Sequence, residues 1–381
     1  MQDEEVQVIV LGADHYNSLG VIRSIGIAGI KPYFCLLSNN KFNQTAASKY
    51  IKKTYKFKEN DFECVLDFLM NNFNTNIQTI IIPTGDPAAR FLDENYNILS
   101  QKYIIQNINN TQNTVTKMMN KKNQIELCEK YNIKHAETWL VKLDEDYSLK
   151  IDKKVIMKPC ISAEGDKGDI LICEPQEIQD KLAIFKEKGY KKILLQEYID
   201  VEKEISFMGV ANAGKVIIPG IYEKINIYPS KRGNTSYAKM MPPETVSFDL
   251  NPFINMISDL KYNGLFEIET LVYNGQIYFN ELNLRNSANS FSYIGGNVNY
   301  LKLYIDMILS KKHEQNIHVK SEYYFCIEPF LLKNIKEGQM SLKEAKRKIK
   351  NSFKLIYYSK DKKPFLIKLL NSIYLRLAGK I

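Results

Sequence analysis

The chain has 381 residues and a formal net charge of +9, with Lys and Arg scattered rather than gathered into a basic arm. That length supports two or three domains with a large core, and the scatter argues against a nucleic-acid module and for an anionic small substrate or an anionic surface. The six cysteines (Cys35, Cys64, Cys128, Cys160, Cys173 and Cys326) include no CxxC pair and none at zinc spacing from a histidine, so they read as reduced core thiols.

The opening MQDEEVQVIVLG is acidic and runs straight into a strand, unlike a signal peptide, and no apolar run reaches membrane-spanning length; a cytoplasmic protein is expected. Residues 6–11 predict a buried parallel strand. A loop over 12–20 carries Asp14, His15 and Asn17; a helix over 21–29 and a strand over 31–37 complete a βαβ opening. Gly12 and Gly20 do not satisfy GxGxxG, so a dinucleotide site is not expected. The pattern repeats with a helix over 62–72 and a strand over 79–82. Pro83-Thr84-Gly85-Asp86 then turns at the strand's carboxyl end, where open α/β sheets bind ligands. Asp86 is either a substrate contact there, with the 14–17 loop, or the N-cap of the next helix.

The Asn- and Thr-rich stretch 107–113 reads as a linker, and 116–131 as a basic amphipathic helix with Met118, Ile125, Leu127 and Cys128 inward and Lys121 upon it. A strand over 155–157 ends in Lys158-Pro159. The small, polar loop 161–169 leads into a strand over 170–172; it is an ordinary hairpin loop or a glycine loop that lays backbone N–H groups over phosphates. Strands are expected over 193–199 (ILLQEYI), 205–210 and 215–218, the last two joined at Ala213-Gly214. The polar loop 228–237 carries Lys231 and Arg232, as a clamp for phosphate or carboxylate or simply as exposed charge. Helices are expected over 251–260 and 298–309.

Between those helices lies 264–289, GLFEIETLVYNGQIYFNELNLRNSAN, two strands joined by the tight-turn pair Asn274-Gly275. Alternation puts Glu281, Asn283 and Arg285 on one face of the second strand and Glu267 and Glu269 on one face of the first. Carboxylates, an amide and a guanidinium converging there suit Mg²⁺ and phosphate, against the blander reading of a solvated hairpin face. In the tail, 342–350 is a basic helix. The segment 365–381 places Leu366, Leu369, Leu370, Ile373, Leu377 and Ile381 on one stripe, which either docks on a membrane surface or partner or packs on the body.

These signals occur in an order that resembles the ATP-grasp superfamily, and more closely its carboxylate–amine ligase branch, over roughly residues 6–300. The resemblance implies an α/β (α+β) chain: an N-terminal Rossmann-like domain over 1–113, an ATP-grasp domain over 114–310 with subdomains of about 114–196 and 197–310, and a basic, helical C-terminal region over 311–381. It also implies site residues. Lys121 (or Lys122) and Lys158 contact the nucleotide phosphates, and Ser162, Gly165 and Lys167 lie in a phosphate lid. Glu197, Tyr198 and Ile199 form the adenine hinge, Glu204 holds the ribose, and Lys215 is a weaker nucleotide contact. Glu269, Glu281 and Asn283 bind Mg²⁺; the Glu269–Glu281 spacing is short for the family, which leaves Glu267 as an alternative to Glu269. Arg285, with Lys158, is catalytic, and Asp14, His15, Asn17, Asp86, Lys231 and Arg232 are substrate contacts. Asn286-Ser287 departs from the Pro-Arg-like or Gly-rich continuation of relatives.

The implied reaction is ADP-forming: ATP, with two Mg²⁺ or with Mn²⁺, activates a substrate carboxylate as an acylphosphate that an amine attacks. Small-molecule carboxylate and amine partners follow, with no nucleic acid, a homodimer and peripheral contact of 365–381 with the inner membrane surface. An envelope or polysaccharide precursor would suit the tail. A carboxylase or kinase-like relative and a silent nucleotide-binding module are the competing readings.

Overall fold

The computed structural model describes residues 6–73, 76–145, 151–161, 169–230, 233–311 and 317–377, with 373–377 described by backbone alone. The described residues form three sheets in a mixed α/β fold. The first contains β1 (Gln7–Ala13), β2 (Tyr33–Leu37), β3 (Lys53–Phe57), β4 (Thr79–Pro83) and β5 (Ile104–Ile105), all parallel in the order β3-β2-β1-β4-β5. Val8 to Leu11 are fully buried, as a central parallel strand covered on both faces requires.

Helices α1 (Tyr16–Ile27), α2 (Phe62–Asn72), α3 (Asp86–Glu94) and α4 (Tyr96–Leu99) connect these strands. The expected 12–20 loop shrinks to Asp14-His15, because β1 runs on to Ala13 and the His15 side chain caps α1 by accepting from the Asn17 N–H. The cap of α3 is Gly85 rather than Asp86, which is the first helical residue.

The 107–113 stretch is more than a linker: β6 (Asn107–Ile108) pairs with a strand over 150 positions later, Tyr262 opposite Ile108. The single helix expected over 116–131 is broken into α5 (Thr114–Met118) and α6 (Lys121–Lys130). Asn120 takes an extended conformation at the break and caps α6 by accepting from the Lys122 N–H. Lys121 therefore becomes the first residue of a helix.

The second sheet is antiparallel, in the order β7 (Thr138–Lys142), β10 (Lys192–Glu197), β8 (Val155–Pro159), β9 (Leu171–Cys173), with α7 (Ile178–Glu187) packed by Ile178, Leu182 and Phe185. The third and largest sheet runs β15 (Gln276–Asn283), β14 (Tyr262–Tyr273), β11 (Lys203–Asn212), β12 (Lys215–Tyr228), β13 (Asn234–Met241), β16 (Tyr323–Cys326), β17 (Phe353–Lys354). The 228–237 loop is shorter than expected, since β13 begins at Asn234. The β14–β15 turn is the expected one, with Asn274 and Gly275 both at positive φ (49° and 68°), as a two-residue hairpin of this hand needs.

The remaining helices are α8 (Asn251–Asp259), α9 (Tyr300–Ile308), α10 (Glu328–Lys336), α11 (Leu342–Lys350) and α12 (Lys363–Leu377). One apolar core joins the first sheet to the third through α1 and α9: Val8, Val10, Ile22 and Ile25 pack with Met208, Val210, Leu265, Leu303 and Tyr304. Of the cysteines, Cys35, Cys128, Cys173 and Cys326 are buried as expected, whereas Cys160 is half-buried and Cys64 is exposed on α2.

The tail is tied down by a buried ion pair. Arg23 on α1 donates through Nε to Asp361 Oδ2 at 3.0 Å, and its other nitrogens donate to the carbonyls of Leu355, Ile356 and Asp361. α12 then follows with its faces reversed from a packed amphipathic helix. Phe365 packs on the core, while Leu366, Leu369 and Leu370 are about half exposed or more (51%, 49% and 61%). Residues 378–381 lie outside the described residues. No helix among the described residues is long and apolar enough to cross a membrane.

Candidate active site

The β14–β15 register decides the centre of the site. Glu267 stands opposite Asn283, and Glu269 opposite Glu281, so both strands put their polar side chains on one face. That face forms the floor of a cavity of about 400 Å³. Lys121 from the start of α6 and Lys158 from β8 enter from the side of the small sheet. Tyr16 and Asp86 enter from the first residues of α1 and α3. Among the described lining residues, Lys121, Lys158, Lys224 and Arg285 meet Asp86, Glu267, Glu269 and Glu281, so cations and carboxylates balance.

Each carboxylate of the floor has a basic partner or donors of its own. Lys121 Nζ lies 3.2 Å from Glu281 Oε1. Lys224 Nζ donates to Glu269 Oε2 at 2.7 Å and to Glu204 Oε2 at 3.1 Å. Burial opposes the Lys224 charge, but Glu269 and Glu204 outweigh it and hold its pKa well above the ordinary lysine range. Glu267 is more deeply set, 5% exposed, and its Oε1 accepts from Tyr222 Oη at 2.6 Å and Ser287 Oγ at 2.7 Å. Burial first, and then the nearby Glu269 charge, raise its pKa.

Lys158 is 8% exposed and donates to Gln196 Oε1 at 2.8 Å. Burial, reinforced by Lys121, lowers its pKa to about 7. Arg285 is clamped: Nε and Nη2 donate to the two carboxylate oxygens of Asp86, Nη2 also donates to Asn283 Oδ1 at 3.1 Å, and Nη1 donates to the Asn286 carbonyl at 3.3 Å. Burial works against its charge, but Asp86 more than restores it and raises the pKa.

The structure brings Lys121, Lys158, Asp86, Glu269, Glu281, Asn283 and Arg285 together in this cavity. Lys122 is exposed, pairs with Glu126 at 3.4 Å and is not among the residues lining this cavity. Glu204 reaches the floor through Lys224. Glu197, Tyr198 and Ile199 leave β10 on the way to β11, between the small and large sheets. The Glu197 and Tyr198 N–H groups donate to the carbonyls of Glu137 and Lys154, and the Ile199 N–H has no acceptor among the described residues.

Several expected contacts do other work. Lys215 sits exposed at the β11–β12 turn, at the far end of β12 from Lys224, and is not part of the cavity. Asp14 accepts from the backbone N–H groups of Gln44 and Thr45. His15 caps α1, and Asn17 donates to the carbonyls of Thr84 and Asn286. All three hold the loop rather than face the cavity. Ser162, Gly165, Lys167, Lys231 and Arg232 lie outside the described residues.

Sequence reasoning missed Tyr222 and Lys224, and within the expected 14–17 contact loop it singled out Asp14, His15 and Asn17 but not Tyr16. Lys224 carries a signal: on a continuous β12 it shares the face of Tyr222, and a lysine inside a long strand is unusual. A strand expected over 215–218 leaves Lys224 outside it, whereas β12 runs on to Tyr228.

Fold and site together define an α/β protein with a polar cavity, lined by carboxylates, lysines and an arginine, where three sheets meet. Residues 118–290 match the family model of the ATP-grasp domain. Solved structures of similar fold include the L-amino acid ligase from Bacillus licheniformis (14% identity, TM-score 0.64, covering 87% of this chain and 84% of that one). The Staphylococcus aureus N5-carboxyaminoimidazole synthetase complexed with ADP is likewise similar (14%, TM-score 0.63, 91% of each chain). So is the Campylobacter jejuni biotin carboxylase in its ATP-type complex (15%, TM-score 0.61, 83% and 74%). At these identities the likeness is one of fold. No curated protein matches the chain.

Proposed function

We propose that this protein is an ATP-dependent ligase that activates a substrate carboxylate and joins it to an amine. The observation that carries this reading is the convergence of Glu269, Glu281, Asn283 and Arg285 on one face, with Lys121 and Lys158 across the cavity from them. In this reading 1–113 is the N-terminal domain, 114–310 the ATP-grasp domain and 311–381 an appended basic region.

The donor set fits Mg²⁺: two carboxylates and an amide oxygen are hard oxygen ligands, and a magnesium site needs only one or two carboxylates beside phosphate and water. Glu269, Glu281 and Asn283 would hold the ion, which supplies charge neutralisation at the nucleotide phosphates. The chain's own groups do the rest. Lys121 and Lys158 bind phosphate oxygens, so both leave their present partners, Glu281 and Gln196, when nucleotide enters. The free Ile199 N–H is the backbone donor available to a base edge at the hinge. Arg285, held by Asp86, presents fixed positive charge to the reacting carboxylate.

The substrate carboxylate oxygen attacks the terminal phosphorus of ATP, ADP leaves, and the acylphosphate is then attacked by the amine nitrogen with loss of phosphate and a proton. Positioning and charge neutralisation carry such a transfer, so no nucleophilic side chain is required.

The exposed Leu366, Leu369 and Leu370, beside Lys362 and Lys363 at the start of α12, support peripheral docking on an anionic lipid surface. That location suits an envelope or polysaccharide precursor as substrate.

The test is ADP release from Mg-ATP with amino acids, hydroxy acids and amino-sugar acids, offered singly and in pairs. Release that needs a carboxylate and an amine together, with the condensed product seen by mass, is the expected result. Release that needs only bicarbonate would replace the ligase reading with a carboxylase.

A further inference from the structure

Tyr16 lines the cavity. It is 7% exposed, its ring lies 4.1 Å from that of His15 and meets Phe330 edge-on at 6.0 Å. A buried tyrosine hydroxyl usually has a partner. Those of Tyr222, Tyr262, Tyr293 and Tyr300 donate to Glu267, Gln106, Gly220 and Gly209. The Tyr16 hydroxyl has none among the described residues. Burial, then Glu267, raise its pKa, while Arg285 and Lys224 oppose them. Glu267, Lys224 and Arg285 line the same cavity as Tyr16, and the phenol stays protonated and able to donate.

Arg285 supplies a second donor. A guanidinium has five N–H groups. The contacts to Asp86, Asn283 and Asn286 use four of them, and the remaining Nη1–H has no acceptor among the described residues. A neutral O–H and an N–H of a fixed cation, both open to one cavity, complement the two oxygens of an anion and not an ammonium group.

We propose that Tyr16 and Arg285 form a two-donor seat for the carboxylate of the acyl substrate, with Tyr16 a specificity-determining contact supplied by α1. The inference rests on the ligase reading above. The other anion that enters the cavity is the nucleotide phosphate, and the lysines that face it, Lys121 and Lys158, come from α6 and β8 rather than from α1.

Tyr16→Phe removes only the oxygen and keeps the ring against His15 and Phe330. With the carboxylate and amine that support ADP release in the unsubstituted protein, Tyr16→Phe should raise KM for the carboxylate by about 10- to 100-fold, the loss typical of a hydrogen bond to a charged group. KM for Mg-ATP should move less than about twofold, because the seat does not hold the nucleotide; a loss of folded protein would lower Vmax and leave both KM values in place. An unchanged carboxylate KM overturns the seat. A rise in the Mg-ATP KM instead assigns Tyr16 to phosphate and overturns it too. If the unsubstituted protein releases no ADP with any carboxylate, the ligase reading fails first and the seat falls with it.

Discussion

Asp86 and Arg285, 199 positions apart in the chain, form a forked ion pair in which Nε and Nη2 of the guanidinium meet the two carboxylate oxygens. The pair links the first residue of α3 to the segment just after β15, so the parallel sheet helps to set the geometry of the cavity floor. Asp86→Asn should keep Arg285 charged but lose the fork. The expected outcome is a fall in kcat/KM of about 10- to 100-fold in the ADP-release assay. Arg285→Lys should not substitute, since a lysine offers a point charge in place of a planar fork.

Glu281→Gln should abolish ADP release while leaving the far-ultraviolet circular dichroism spectrum unchanged, because Glu281 faces the cavity rather than the core. The two glutamates of β14 should differ. Glu267 is buried and accepts from Tyr222 and Ser287, whereas Glu269, paired with Lys224, is less buried and stands directly opposite Glu281. A Mg²⁺ titration of activity should therefore shift to higher concentration for Glu269→Gln and stay nearly in place for Glu267→Gln. The reverse pattern would move the metal site to Glu267.

Lys158 has a depressed pKa, about 7 against an ordinary 10.5, so the free protein loses this proton as pH rises through neutrality. Phosphate binding favours the charged form, and Mg-ATP binding should take up a proton near pH ~8 and none near pH ~6. Calorimetry in buffers of different ionisation enthalpy reads this directly. Lys158→Arg, whose guanidinium stays charged throughout, should remove the uptake. The stability consequence has the opposite sense: the unfolded lysine holds its proton up to about 10.5, so between about 7 and 10.5 the unfolded chain binds more protons and stability rises with pH.

Arg23 and Asp361 have side chains 0% and 1% exposed. Asp361→Ala leaves a buried guanidinium without its carboxylate. The expected loss is about 3–5 kcal/mol in a denaturant titration, as for other broken buried pairs. Ser48 Oγ and the Lys49 N–H also donate to Asp361, so the 45–48 turn should loosen with it.

Replacing Leu366, Leu369 and Leu370 together with Ser should abolish co-sedimentation with phosphatidylserine-containing vesicles and leave the melting temperature unchanged, because these side chains are exposed. Retained binding would show that this stripe is not the lipid contact. A lowered melting temperature would show that it packs against the body.

The sequence alone determined what depends on local patterning. The apolar run of β1, the span 62–72 of α2, the span 342–350 of α11 and the Asn274-Gly275 turn all follow from periodicity and backbone preference within a few residues. The same two-residue period placed Glu267 and Glu269, and Glu281, Asn283 and Arg285, on shared faces before any partner was known. Tertiary structure decided which of several similar residues face the cavity. The choices of Lys121 over Lys122 and Lys224 over Lys215, and of Tyr16 over its neighbours Asp14, His15 and Asn17, turned on a helix break at Asn120, the true length of β12 and a cap at His15. Each shift of one residue rotates a side chain by about 100° on a helix or to the opposite face of a strand, so a small error in a boundary reverses what a side chain faces. The Asp86–Arg285 fork and the Arg23–Asp361 pair had no local signature at all, since burial and charge pairing across hundreds of residues exist only once the sheets have packed.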